Sequence, residues 1–148
     1  MRTLPLLAAA ALAAPLAAAA PTPQPGLWTV EARVVSVDSQ NVPALVRRMV
    51  EGRVETYERC LTPAQARGQF ERLLVQEEAR CSFSEARFAG GAMRVKGRCT
   101  SDKGDMTLDL SGTHSGTGFR ATNKMTLTGR LGTVDVTAAH VGTRKGRC

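Results

Sequence analysis

The 148-residue chain contains no isoleucine, one tryptophan, one tyrosine and four phenylalanines, so aromatic residues make up only 4% of it. So thin an aromatic complement argues against a nucleic-acid binder, because single strands are gripped on stacked rings. The missing isoleucine, beside 21 alanines, reads as coding bias more than functional choice. Histidine occurs twice, and lysine is scarce at 4 against 16 arginines. No cysteine precedes Cys60, which excludes a lipoprotein anchored through an N-terminal cysteine. Past residue 20 no apolar run approaches the ~20 residues that span a bilayer. No phosphate loop, zinc-hydrolase helix or EF-hand loop occurs. With this length, these gaps exclude a multidomain enzyme, a membrane-spanning protein and a long disordered chain.

What is present begins with a targeting pattern. Met1-Arg2-Thr3 is a short positive start, and 16 of the first 20 residues are apolar. Small residues end the run, with Ala17-x-Ala19 as the favoured cleavage site, so residues 1–19 read as a secretory signal peptide. Residues 20–25 read as a Pro-rich leader, extended and poorly ordered, and 26–148 as one β-rich domain. The expected location is the bacterial periplasm, or outside the cell. The four cysteines, Cys60, Cys81, Cys99 and Cys148, all fall in the exported part. Their wide spacing fits two disulfides in an oxidising compartment better than a zinc site, with three pairings open in principle.

Residues 27–37 alternate, with Trp28, Val30, Ala32 and Val34 on one face and Thr29, Glu31 and Arg33 on the other. Residues 38–49 read as a polar loop whose Val42, Leu45, Val46 and Met49 cover a sheet edge or opening, and residues 50–60 as a second strand. Thr62-Pro63-Ala64-Gln65 is a helix start with a capping box, predicting a helix over about 62–78 that buries Ala66, Phe70, Leu73 and Leu74. Five strands follow near 81–88, 92–100, 105–113, 118–129 and 133–142, joined by short turns that make them antiparallel neighbours. Turns centred on Gly90 and at 102–103, 115–116 and 130–131 set one row across the sheet: Cys81, Cys99, Met106, Met125, Val136. That register pairs Cys81 with Cys99 and leaves Cys60 for Cys148. It also turns Glu85 and Arg87 inward, unless a bulge near Ser84–Glu85 re-aims Ala86 and Phe88. The fold class is therefore mainly β: a curved antiparallel meander sheet or open barrel of about seven strands, with one packed α-helix and two disulfides.

Several stretches carry a resemblance. They are Pro25-Gly26-Leu27-Trp28, Cys60-Leu61-Thr62-Pro63-Ala64-Gln65, Cys81-Ser82-Phe83-Ser84, Gly90-Gly91, Gly97-Arg98-Cys99, Met106-Thr107-Leu108 and Ser111-Gly112-Thr113, closed by Cys148. Their order resembles the bacterial family catalogued as domain of unknown function 3617, from about Pro25 to Cys148. The resemblance implies an exported single-domain envelope protein and brings no catalytic residues with it. This chain departs from that pattern in being poorer in Met and richer in Arg.

Enzymatic chemistry finds little support. His114 and His140 lie on the apolar face toward strand ends, too far apart in the register to share a metal ion, and read as structural or polar-rim residues. Ser111 and Ser115 lie near His114, but no nucleophile-elbow motif surrounds them. Asp105 and Asp109 fall on the solvated face, where acid–base tuning is not expected. Met106 and Met125 suggest Cu(I) only weakly, and core filling is the stronger reading, so no metal and no cofactor is expected. The chain is read as a non-catalytic binding protein, its partner an apolar small molecule or an anionic envelope component. The candidate ligand cavity is Trp28, Val54, Phe70, Leu74, Leu108, Leu110 and Leu127, which are equally plain core. The candidate anionic contact is Arg94, Lys96, Arg98, Arg120 and Lys124 on the outer sheet face, where a solvated surface is the blander reading.

Overall fold

The strongest conformational signal, the Thr62 helix start, folds as its residues dictate. In the computed structural model, which describes residues 22–75, 80–102, 104–130 and 132–148, Thr62 Oγ1 accepts from the Gln65 backbone N–H (3.3 Å) and Gln65 Oε1 accepts from that of Thr62 (3.0 Å). The helix, α2, is short, Pro63–Gly68, and a 3-10 turn, Phe70–Leu73, follows it. The single helix over 62–78 is therefore corrected at its C-terminal side. Gly68 is a poor helix former, and Gln69 leaves the helical region at φ −141, ψ 37. The break swings Phe70 and Leu73 fully into the interior. The signal segment, residues 1–19, lies outside the described residues, as do residues 76–78 of the expected helix.

Seven antiparallel strands form one sheet: β1 (Gly26–Asp38), β2 (Val54–Leu61), β3 (Arg80–Ala89), β4 (Ala92–Ser101), β5 (Gly104–His114), β6 (Gly118–Gly129) and β7 (Gly132–Gly146). Their order is β2-β1-β7-β6-β5-β4-β3. The two edges, β2 and β3, do not pair, so the sheet is curved but not closed. The second strand starts at Val54 rather than residue 50, because Ala44–Val50 is a short helix, α1. That helix corrects the polar-loop reading. Leu45, Val46 and Met49 do not cover the sheet: they are 70%, 45% and 69% exposed.

The register holds at three of its four turns. Cys81 faces Cys99, Cys99 faces Met106, and Met125 faces Val136. Between β5 and β6 the turn falls one residue later than expected, so Met106 faces Leu127 and Leu108 faces Met125. Ser115 moves it: its hydroxyl accepts from the N–H of Thr117 (3.3 Å) and Gly118 (3.0 Å), fixing Gly116-Thr117 as the turn. Gly90 and Gly91 both take positive φ, the conformation a tight hairpin needs. The expected bulge lies between Phe83 and Glu85, and it restores Phe88 to the inner face opposite Met93. Both disulfides form: Cys81–Cys99 across β3 and β4, and Cys60–Cys148 tying the end of β2 to the C-terminus.

The core sits at one end of the concave face. Phe70 packs edge-on against Trp28 (5.6 Å), Phe88 (5.0 Å) and Phe119 (5.7 Å), plugging the space between the sheet edges. Tyr57 Oη on β2 donates to the Leu73 carbonyl (3.0 Å) and anchors the plug. The described part of the leader is docked rather than loose. Gln24 N–H donates to Gly116 O (2.9 Å), Trp28 Nε1–H donates to Gln24 O (3.0 Å), and Arg144 Nε donates to Pro25 O (2.7 Å). The tail also departs from expectation, because β7 runs on past residue 142 to Gly146 and pairs with β1.

Candidate functional site

Beyond the plug, the concave face is not filled. A trough of about 1940 Å³ runs along it. Its floor is the inward side of the central strands: Val134 and Ala138 on β7, Met125 and Leu127 on β6, Met106 and Leu108 on β5. Tyr57 on β2 and Leu74 after the plug contribute the opposite side. The β4–β5 and β6–β7 turns and the connection from α1 to β2 line one end of it, through Asp102, Arg130 and Arg53. On β7 and β1 the lining ends toward the aromatic cluster at His140 and Ala32. Arg130, just past the end of β6, lies seven positions along the chain from Asn123, about 23 Å at the rise of a strand.

Two polar side chains break the apolar floor near the plug. Asn123 faces Ala138 and His140 faces Ala121, so the two stand diagonally on neighbouring strands, roughly 7 Å apart. Asn123 is 4% exposed and His140 is 7% exposed. Among the described residues Asn123 Oδ1 and both His140 ring nitrogens have no hydrogen-bond partner. Burial also pushes the His140 pKa below its ordinary value, so the ring is held neutral. A neutral imidazole offers one donor and one acceptor, and the amide oxygen one more acceptor. Leaving such groups unpaired costs about 1–3 kcal/mol each. The pair therefore favours a ligand that brings uncharged hydrogen-bonding groups to this point.

The Tyr57 hydroxyl is pushed up to about 12, chiefly by burial, and stays protonated. Arginines 33, 53, 59, 80 and 130 lie along the trough with Glu55, Asp102 and Asp105, leaving an excess of positive charge.

Of the seven residues weighed as cavity lining, Val54, Leu74, Leu108 and Leu127 line the trough. Trp28, Phe70 and Leu110 lie in the closed core instead. His140 is on the trough, whereas His114 is buried against the edge of Phe88 (5.9 Å). The register puts the two histidines two strands and two residues apart, roughly 12 Å. Among the described residues no group of three or more His, Cys, Asp or Glu side chains assembles for a metal. Ser115 is engaged in its turn, and Ser111 is exposed while His114 is buried. Met106 and Met125 are diagonal rather than opposite, and both line the trough. The outer-face cations Arg94, Arg98, Arg120 and Lys124 are exposed. Lys96 pairs with Asp109 at 3.7 Å, and Asp109 also faces Lys124 across the strands.

The alternation reading missed Asn123, the most informative residue of the site. The signal was available: Asn123 occupies the inward register of β6 between Ala121 and Met125. Tyr57 and the two methionines were missed as lining because their exposure depends on what the plug leaves uncovered.

A family model described as "Protein of unknown function (DUF3617)" matches residues 23–148. No curated protein and no solved structure matches the chain.

Proposed function

Because the chain belongs to that family of unknown function, its role has to be argued from its own site, and we propose that it is an exported, non-catalytic carrier of an amphipathic, lipid-like small molecule. The observation that carries this reading is the trough of about 1940 Å³, apolar along its floor, with Asn123 Oδ1 and the His140 ring nitrogens lacking partners among the described residues near its plugged end. An open apolar trough on this scale has room for a lipid-like small molecule. The ligand's apolar chain lies over Met125, Leu108 and Leu127. An uncharged hydroxyl, amide or carbonyl group of the ligand meets Asn123 and His140 near the plug. The excess of arginine along the trough suits an anionic or polar group at the other end. Two disulfides favour residence in an oxidising compartment, and the N-terminal targeting pattern favours the periplasm. A non-catalytic role is supported by the two histidines, neither of which meets an orienting acid or a nucleophile among the described residues.

Native mass spectrometry of protein purified from its own compartment tests this. A mass adduct that disappears on denaturation, and that Leu108→Trp removes by filling the trough, is the expected result. An adduct that L108W leaves untouched places the ligand elsewhere, and no adduct together with no uptake of a fluorescent fatty alcohol overturns the reading.

A further inference from the structure

We infer that helix α1 is a docking element that seats the mouth of the trough on an anionic lipid surface. α1 buries none of its residues. Leu45, Val46 and Met49 fall at i, i+1 and i+4, on one side of the helix, and all three stand in water. Arg47 and Arg48 occupy its last turn and Arg53 follows it. The one acid in residues 44–53, Glu51, is engaged, with its Oε1 accepting from the Val37 N–H at 3.1 Å. Apolar side chains flanked by arginine are the composition of a helix that lies at a membrane interface and is drawn there by anionic headgroups.

The element is preformed. Gly52 N–H donates to Val34 O (2.8 Å) and Val34 N–H to Arg53 O (3.0 Å), which pins the connection to β1. It is also continuous with the trough, because Val50 at the end of α1 and Arg53 and Val54 just after it line the trough. A lipid leaving a bilayer at α1 passes from hydrocarbon to the trough floor over these residues without crossing open water. A second copy of the chain is a poorer occupant, since a two-fold contact would set Arg47, Arg48 and Arg53 against their own images. The docking surface itself stands on exposure and charge, while its use as a loading point rests on the carrier reading above.

Vesicle co-sedimentation tests it, with equal parts phosphatidylglycerol and phosphatidylcholine against phosphatidylcholine alone. The intact protein is expected to bind the mixed vesicles at low ionic strength and to lose binding as salt rises. Leu45→Ser with Met49→Ser, and separately Arg48→Glu, are expected to weaken it about tenfold or more. All three side chains are solvent-facing, so the fold is retained. Arg94→Gln with Arg98→Gln, on the outer sheet face, is expected to bind like the original. Equal binding by all variants overturns the inference, as does loss confined to the outer-face pair. A concentration-dependent dimer that L45S/M49S abolishes, without vesicle binding, also overturns it by assigning the face to a second copy. Uptake of a fluorescent fatty alcohol without vesicles separates the two readings. Uptake without vesicle binding removes the docking surface alone, and vesicle binding without uptake removes the carrier reading alone.

Discussion

Asn123 and His140 face the same trough from neighbouring strands, one diagonal step apart, and Asn123 Oδ1 and both imidazole nitrogens lack partners among the described residues. In the ligand-free protein this pair is a cost. Asn123→Leu is expected to stabilise delipidated protein by about 1 kcal/mol, because an apolar group of similar size needs no partner. The same change is expected to lower retention of a fatty alcohol more than that of the matching hydrocarbon. Urea unfolding beside a two-ligand binding comparison reads both. Equal losses for the two ligands would remove the polar role.

The pH dependence follows from His140. Burial holds its folded pKa below the ordinary 6.5, so the unfolded chain takes up the proton first as pH falls. The contribution of neutral His140 is complete above 6.5 and declines as pH drops from there toward the lowered folded value. Urea midpoints at about pH 8 and about pH 5 should therefore fall further for the original than for His140→Leu. Identical slopes would show that the ring is not buried neutral.

Tyr57 acts in the opposite direction. Its phenol, raised to about 12 mainly by burial, donates to Leu73 O and holds the plug to β2. Its contribution is complete below pH 10 and is lost as pH rises from 10 toward about 12. Tyr57→Phe is expected to cost about 1 kcal/mol at neutral pH and to flatten the alkaline fall. Thermal unfolding at neutral and alkaline pH checks it.

The two disulfides should differ in worth. Cys60–Cys148 closes 88 residues of sequence and Cys81–Cys99 closes 18. Loop entropy alone gives about 4.6 kcal/mol for the first and about 3.2 kcal/mol for the second. Replacing each pair by serine and comparing urea midpoints is expected to show the larger loss for C60S/C148S, with the C-terminal residues of β7 exchanging amide protons fastest.

Gly142 lies against the ring of Phe119, where an added Cβ would overlap Cε1. The ring is held by Trp28 and Phe70, so it cannot yield cheaply. Gly142→Ala is expected to cost about 1–3 kcal/mol by overpacking. A neutral result in thermal unfolding would mean that the aromatic cluster is looser than its geometry.

Much of this architecture was legible in the order of residues. Strict alternation in residues 27–34, the Thr62–Gln65 capping box, and Gly90-Gly91 are local signals, each acting over a few residues. The cross-strand partner of Cys81 followed from one tight turn. The Ser84 bulge followed from two charges that could not face the core. The β5–β6 turn was misplaced by one residue because Ser115 decides between equally tight alternatives with its side chain. The helix was overextended because its apolar period continues through Gly68 into a 3-10 turn that packs the same side chains.

The sequence by itself determined the seven antiparallel strands, their inner and outer faces and both disulfides, because turn chemistry and period-two burial are encoded by near neighbours. Tertiary structure alone decided that the sheet stays open, that Phe70 plugs only one end, and that Asn123 and His140 share the empty remainder. It also left α1 uncovered at the mouth. How far a curved sheet closes, and which apolar residues find a partner, depends on volumes and packing between segments distant in the chain, which no local pattern records.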